Sequence, residues 1–160
     1  MDDYQAKELY SQSRARAGWG RIWAILTGRS RRLLTLDEIT AGRTVHPHHC
    51  CGVRMVSIDR IQGTEGRSRD FDCDFNPLHE RNRRRWLNVA MARVQERSLP
   101  PVELIQVGDI YLVRNGHHRI SVARALGQLD IEAEVTVLQM TEPSSRTPAV
   151  PSDRLAWQSI

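Results

Sequence analysis

The chain has 160 residues, 40% of them hydrophobic and 26% charged, with a formal net charge of +4. That length suits one compact domain with extensions. No apolar run approaches the roughly 20 residues needed to cross a bilayer, and the acidic opening Met1-Asp2-Asp3-Tyr4 is unlike a secretory leader, so a soluble, cytoplasmic protein is expected. Of the 23 basic residues only Lys7 is lysine. Arginine's planar fork suits phosphate and carboxylate, which fits an anionic partner, while codon bias in a GC-rich genome accounts for the bulk equally well. Cys50, Cys51 and Cys73 are too few for a disulfide framework and read as reduced thiols.

Residues 2–27 read as a helix broken at Gly18-Trp19-Gly20, with Leu9, Trp19, Ile22, Trp23, Ile25 and Leu26 as its apolar surface. A basic helix carrying tryptophans suits a membrane surface or an acidic partner, but packing of the Trp face on the domain is the preferred reading. Thr35-Leu36-Asp37-Glu38 has capping-box spacing and starts a short helix. Residues 42–52 read as irregular. Zinc accepts the ligand types in His46-Pro47-His48-His49-Cys50-Cys51, but their spacing matches no standard pairing, so no metal site is assigned.

Residues 53–58 alternate as a strand, and 59–74 read as a polar, glycine-containing loop. Asn76-Pro77 has the form of an N-cap followed by proline at the first helical position, predicting a helix to about residue 98. Leu87, Ala90, Met91 and Val94 fall on one face of it. Arg81, Arg84, Arg85 and Asn88 fall on the other, with Arg83 turned toward the apolar side. The run Arg81-Asn82-Arg83-Arg84-Arg85-Trp86 suits either a solvated face or a nucleic-acid contact in which the indole stacks on a base. Residues 102–107 and 110–114 predict a hairpin through Gly108-Asp109, 120–126 a short helix stopped by Gly127, and 131–140 a last strand. Pro143, Pro148 and Pro151 mark a flexible tail. The organisation expected is an N-terminal extension at 1–52, a domain at 53–140 and a tail at 141–160.

Asn115-Gly116-His117-His118-Arg119 joins a strand to a helix N-terminus. Such a junction collects anions, because the first N–H groups of a helix are unpaired and its dipole is positive there. An ordinary turn with solvated polar residues fits the same letters. The run from Val113 to Gly127 resembles the signature of the ParB/sulfiredoxin-like superfamily, whose members place a phosphate-binding Gly-x-x-Arg or Gly-x-His-Arg turn before an alanine-rich helix. Residues 57–61, 103–105, 110–113 and 135–137 resemble the family's flanking strands. The resemblance implies an α/β (mixed α+β) fold, a small mixed sheet with short helices behind a helical N-terminal extension.

His117 stands where sulfiredoxins carry their reactive cysteine, so that activity is not expected. ParB partition proteins have Gly-Glu-Arg-Arg at the turn and bind CTP. ParB-like free-serine kinases have Asp-Gly-His-His-Arg, from which Asn115 departs. The resemblance implies a nucleoside triphosphate (CTP or ATP, with Mg²⁺ possible) on Asn115, Gly116, His117, His118 and Arg119. Arg67 and Arg69 would neutralise charge, and Glu65 would serve as general base or Mg²⁺ holder. The leading expectation is a nucleotide-binding switch or NTPase with a DNA-related role. The alternatives are a serine-kinase-type phosphotransferase and a DNA-interaction module using Arg81, Arg84 and Arg85. Assembly into a homo-oligomer is compatible with each.

Overall fold

The computed structural model describes residues 3–28, 30–41 and 43–141, with the backbone alone at 44, 45, 47–51 and 141. The expected tail lies outside the described residues. A single mixed sheet organises the chain. Its strands are β1 (Leu34–Thr35), β2 (Thr44–Ser57), β3 (Ile61–Thr64), β4 (Val102–Val107), β5 (Ile110–Asn115) and β6 (Asp130–Thr141), in spatial order β1-β3-β5-β4-β6-β2. β3 runs parallel to β1 and β5, and β4 runs parallel to β6. The β4–β5 and β2–β6 pairs are antiparallel.

Period-two alternation sends side chains to both faces of this sheet. Leu104, Tyr111 and Val113 join Phe71, Phe75 and Ile120 in the main core. Ile105, Val107 and Leu112 pack on the other face against Leu36 and Ile39 of the short helix α2 (Leu36–Thr40). Helix α4 (His117–Ala125) covers the main face. Helix α3 (Arg83–Val94) packs on α4, and α1 (Asp3–Thr27) packs on α3 through Ala6, Tyr10, Trp86 and Ala90, with Val122 of α4 in the same cluster. The mixed sheet with short helices and an N-terminal helix agrees with the expected fold class. So do the capping box at α2, the Gly108-Asp109 hairpin and the Gly127 stop, which has φ 72°.

Five expectations are corrected. α1 is continuous through Gly18 and Gly20: a Cβ at Gly20 would lie 2.6 Å from Arg31 Nε, so this glycine serves close approach rather than a break. The Trp face of α1 is exposed, not packed. Residues 42–52 are not wholly irregular, because β6 offers a long edge on which Thr44–Ser57 pairs, with register irregularities beside Pro47 and between Cys50 and Val53. Pro47 is tolerated because β2 is the outermost strand. The His46–Cys51 side chains fall outside the described residues except for exposed His46.

The polar loop at 59–74 contains β3, which is inserted between β1 and β5, and the buried Phe71. Finally, the helix after Asn76-Pro77 starts only at Arg83, because Asp72 takes the Asn76 N–H at 2.8 Å and its amide at 3.1 Å, and Pro77 bridges to Phe71. It ends at Val94, ahead of Glu96 at φ 52°.

Candidate anion-binding site

β5 delivers Asn115 and Gly116 to the N-terminus of α4, and β3 lies parallel beside β5 with Thr64 opposite Val113. Gly116 is the N-cap at φ 105°, a conformation that favours glycine, and a Cβ there would lie 2.6 Å from Val102 Cγ1. With no side chain at the cap, Gly116 offers the first-turn N–H groups no side-chain acceptor. The helix begins at His117 rather than Ile120, so His117, His118 and Arg119 form its first turn instead of a preceding loop.

Both histidines are buried. The His117 ring stacks on Phe71 at 5.8 Å, and His118 meets the same phenyl edge-on at 5.2 Å. Thr64 Oγ1, itself fully buried, lies 2.7 Å from His117 Nε2. The same oxygen accepts the N–H groups of Gly66 at 3.2 Å and Arg67 at 3.0 Å. With two N–H groups donating to the oxygen, its single proton has two acceptors in reach, His117 Nε2 at 2.7 Å and the Val113 carbonyl at 3.5 Å, and the ring nitrogen is the nearer. Burial, aided by the positive charge of Arg67, pushes His117 down to about 4, and burial with Arg85 and Arg67 does the same to His118. Both rings are neutral at pH 7. His118 Nε2 is buried without a hydrogen-bond partner among the described residues.

A cavity of about 320 Å³ opens at this helix end. Arg67, Arg85, Arg114 and Arg119 line it together with Asn115, Gly116, His117 and His118, and among the described residues no carboxylate lines it. Arg119 donates to the carbonyls of Pro100 and Pro101, the latter at 2.8 Å, which pins the 99–101 segment over the cavity wall. Burial lowers its pKa against the opposing pull of Glu103. Asn115 Nδ2 donates to Glu103 Oε1 at 2.9 Å, across the β4–β5 register pair. An aspartate at 115 would set two carboxylates against each other there, whereas asparagine supplies a donor. A second, mostly apolar cavity of about 240 Å³ shares Val89, Leu99, Pro100 and Arg119 with the first.

The other expected residues are placed as follows. Glu65 Oε2 accepts from Arg114 Nε at 3.1 Å and does not line the cavity. Arg69 is exposed and also lies off the lining, its carbonyl 3.0 Å from His79 Nε2. Arg81 binds Asp70. Burial would raise the Asp70 pKa, but Arg81 and Arg67 outweigh it and hold that carboxyl below its usual range. Arg84 and Arg85 are exposed, and only Arg85 of the basic run reaches the cavity. Arg83 does not turn inward: it is solvated and lies 3.5 Å from Glu80. Trp86 is fully buried, with Nε1 donating to Ser121 Oγ at 2.8 Å, so its ring cannot stack on a base.

Thr64 and Phe71 were missed by sequence reasoning. Nothing local distinguishes a threonine in a polar, glycine-rich stretch. The aromatic pair in Phe71-Asp72-Cys73-Asp74-Phe75 is the one signal that the stretch is partly buried.

No protein-family model matches the chain, and neither does any curated protein. Among solved structures, the chain is similar to sulfiredoxin from Arabidopsis thaliana at 18% identity and a TM-score of 0.40, over 52% of this chain and 82% of that one.

Proposed function

We propose that the chain binds a nucleoside triphosphate, with its phosphates on the Gly116–Arg119 turn, and works as a ParB-like nucleotide switch or NTPase. The observation that carries this reading is the cavity lined by four arginines and no carboxylate at the uncapped N-terminus of α4. Its charge selects polyanions, and the backbone N–H groups of His118 and Arg119 supply oriented donors. Arg67 and Arg85 balance phosphate charge, and the Arg119 donors not directed at Pro100 and Pro101 add to them. The neutral imidazoles shape the wall and contribute no charge.

The adjoining, mostly apolar cavity, which Arg93, Asp130 and Glu132 also line, offers room for a base and ribose, which favours a nucleotide over DNA contact alone. The lining presents no carboxylate to Mg²⁺, so a divalent ion does not fit these donors and would arrive on the phosphates. Glu65 holds Arg114, an arrangement that serves charge placement in the wall more directly than proton abstraction.

Thermal shift with CTP, ATP and GTP, with and without Mg²⁺, tests the reading. At least one nucleotide raises the midpoint, and Arg85→Gln, a change at an exposed side chain, weakens that binding by about tenfold. Absence of a shift with every nucleotide would sink the proposal.

A further inference from the structure

Arg119 stands between the two cavities and lines both. Its Nη1 donates to the carbonyls of Pro100 and Pro101, the latter at 2.8 Å. Its Nη2 lies over the turn that opens α4, 3.1 Å from where a Cβ on Gly116 would stand. One guanidinium thus meets the 98–101 segment with one nitrogen and the helix N-terminus with the other.

Little else holds that segment. The N–H groups of Gln95, Glu96 and Arg97 close on the last turn of α3, and β4 begins only at Val102. Pro100 and Pro101 have no N–H to give to a ladder. Among the described residues, every hydrogen bond that reaches 98–101 comes from Arg119. Arg97 and Ser98 are exposed, and Glu96 before them stands at φ 52°, a left-handed conformation unfavourable to a residue with a side chain. Yet the segment is a wall of both cavities. Leu99 and Pro100 line the arginine-lined cavity and, with Pro101, the mostly apolar one.

The planar fork fixes Nη1 and Nη2 relative to each other, so a group that holds one nitrogen also places the other. Side-chain freedom lost to a phosphate on Nη2 need not be lost again when Nη1 meets the carbonyls. We propose that Arg119 couples the two cavities: a polyphosphate held at Nη2 fixes the guanidinium where Nη1 closes residues 98–101 over the apolar cavity. Resting on the nucleotide reading for what fills the cavities, this coupling makes the phosphate and base halves of the ligand assist each other, reciprocally by linkage. Arg119 is then a positioning residue for the base cavity as well as a phosphate contact.

The probe is inorganic tripolyphosphate, which carries phosphates for the arginine-lined cavity and no base for the other. Calorimetry gives its Kd. Trypsin cleavage of the full chain at Arg97–Ser98 is followed by mass spectrometry, with a small arginyl ester as the control for the protease itself. A ligand that binds only the closed form suppresses opening by one plus the ratio of its concentration to Kd. At about ten times the Kd, cleavage at that bond therefore slows by about tenfold. Arg119→Lys keeps the charge but has a single nitrogen, which cannot stand at both Nη positions. It binds tripolyphosphate more weakly, and at the same multiple of its own Kd it leaves cleavage unchanged. Arg85→Gln leaves the bridge in place and retains the protection at matched saturation. Circular dichroism verifies folding, and if Arg119→Lys is unfolded the parent and Arg85→Gln decide alone. No binding of tripolyphosphate to the parent overturns the phosphate half of the nucleotide reading and the coupling with it. Binding without protection of Arg97–Ser98 overturns the coupling alone, as does equal protection in Arg119→Lys or its loss in Arg85→Gln.

Discussion

Thr64 Oγ1 and His117 Nε2 lie 2.7 Å apart although 53 residues separate them in sequence, and this bond ties the β3 loop to the first turn of α4. Through Thr64 the N–H groups of Gly66 and Arg67 are held as well, so one hydroxyl fixes both walls of the arginine-lined cavity.

Removing that hydroxyl is expected to destabilise the chain. Thr64→Val leaves two N–H groups and one imidazole nitrogen without a partner and costs about 1–3 kcal/mol in urea unfolding. Thr64→Ser keeps the hydroxyl and recovers most of the loss. A valine variant as stable as the parent contradicts the network.

The buried histidines make stability depend on pH. Their folded pKa values, about 4, lie below the ordinary 6.5, so between those values the unfolded chain binds more protons than the folded one. Stability is therefore full above about pH 6.5 and falls as the pH drops toward 4, by on the order of 3 kcal/mol for each ring. Urea midpoints measured from pH 7.5 down to 4.5 follow this slope, and His118→Phe flattens part of it. An unchanged slope in that variant refutes the assignment of His118.

Gly116 should tolerate no side chain. An alanine there adopts a φ of 105° and places its Cβ 2.6 Å from Val102 Cγ1, so Gly116→Ala lowers the thermal midpoint and costs about 1–3 kcal/mol. Adding Val102→Ala removes the clash but leaves the backbone strain, so in a double-mutant cycle rescue is partial. Full tolerance of the single change shows that the turn can relax.

The Trp86–Ser121 bond offers a sharper check on packing. Ser121→Ala orphans a buried indole N–H and costs about 1–3 kcal/mol. In the Trp86→Phe background the same change costs much less, because no donor remains to be orphaned. Equal costs in both backgrounds, read by chemical denaturation, exclude the bond from the core.

Much of the architecture was legible locally. The capping box at Thr35–Glu38, the hairpin at Gly108-Asp109, the strand–glycine–helix junction at Gly116 and the stop at Gly127 each depend on neighbouring residues. The alternating apolar pattern of β4 and β5 behaves likewise. The failures share a cause. The β2 backbone at 44–52 has no strand pattern of its own and pairs because β6 presents an edge. β3 is hidden in a polar stretch and gains its place by parallel pairing.

The candidate site divides the same way. The sequence by itself determined that a strand passes through a glycine turn toward a helix near 115–119 and that arginine supplies nearly all of the positive charge, since both follow from residue types and their spacing. Tertiary structure alone decided which arginines come together. Arg67, Arg85, Arg114 and Arg119 converge on one cavity, while Arg69 and Arg81 do not. It also decided that the two histidines are buried and neutral and that Trp86 lies in the core. It left the indoles of Trp19 and Trp23 in water. Burial and charge convergence are set by contacts between segments dozens of residues apart, and no local pattern in a chain encodes them.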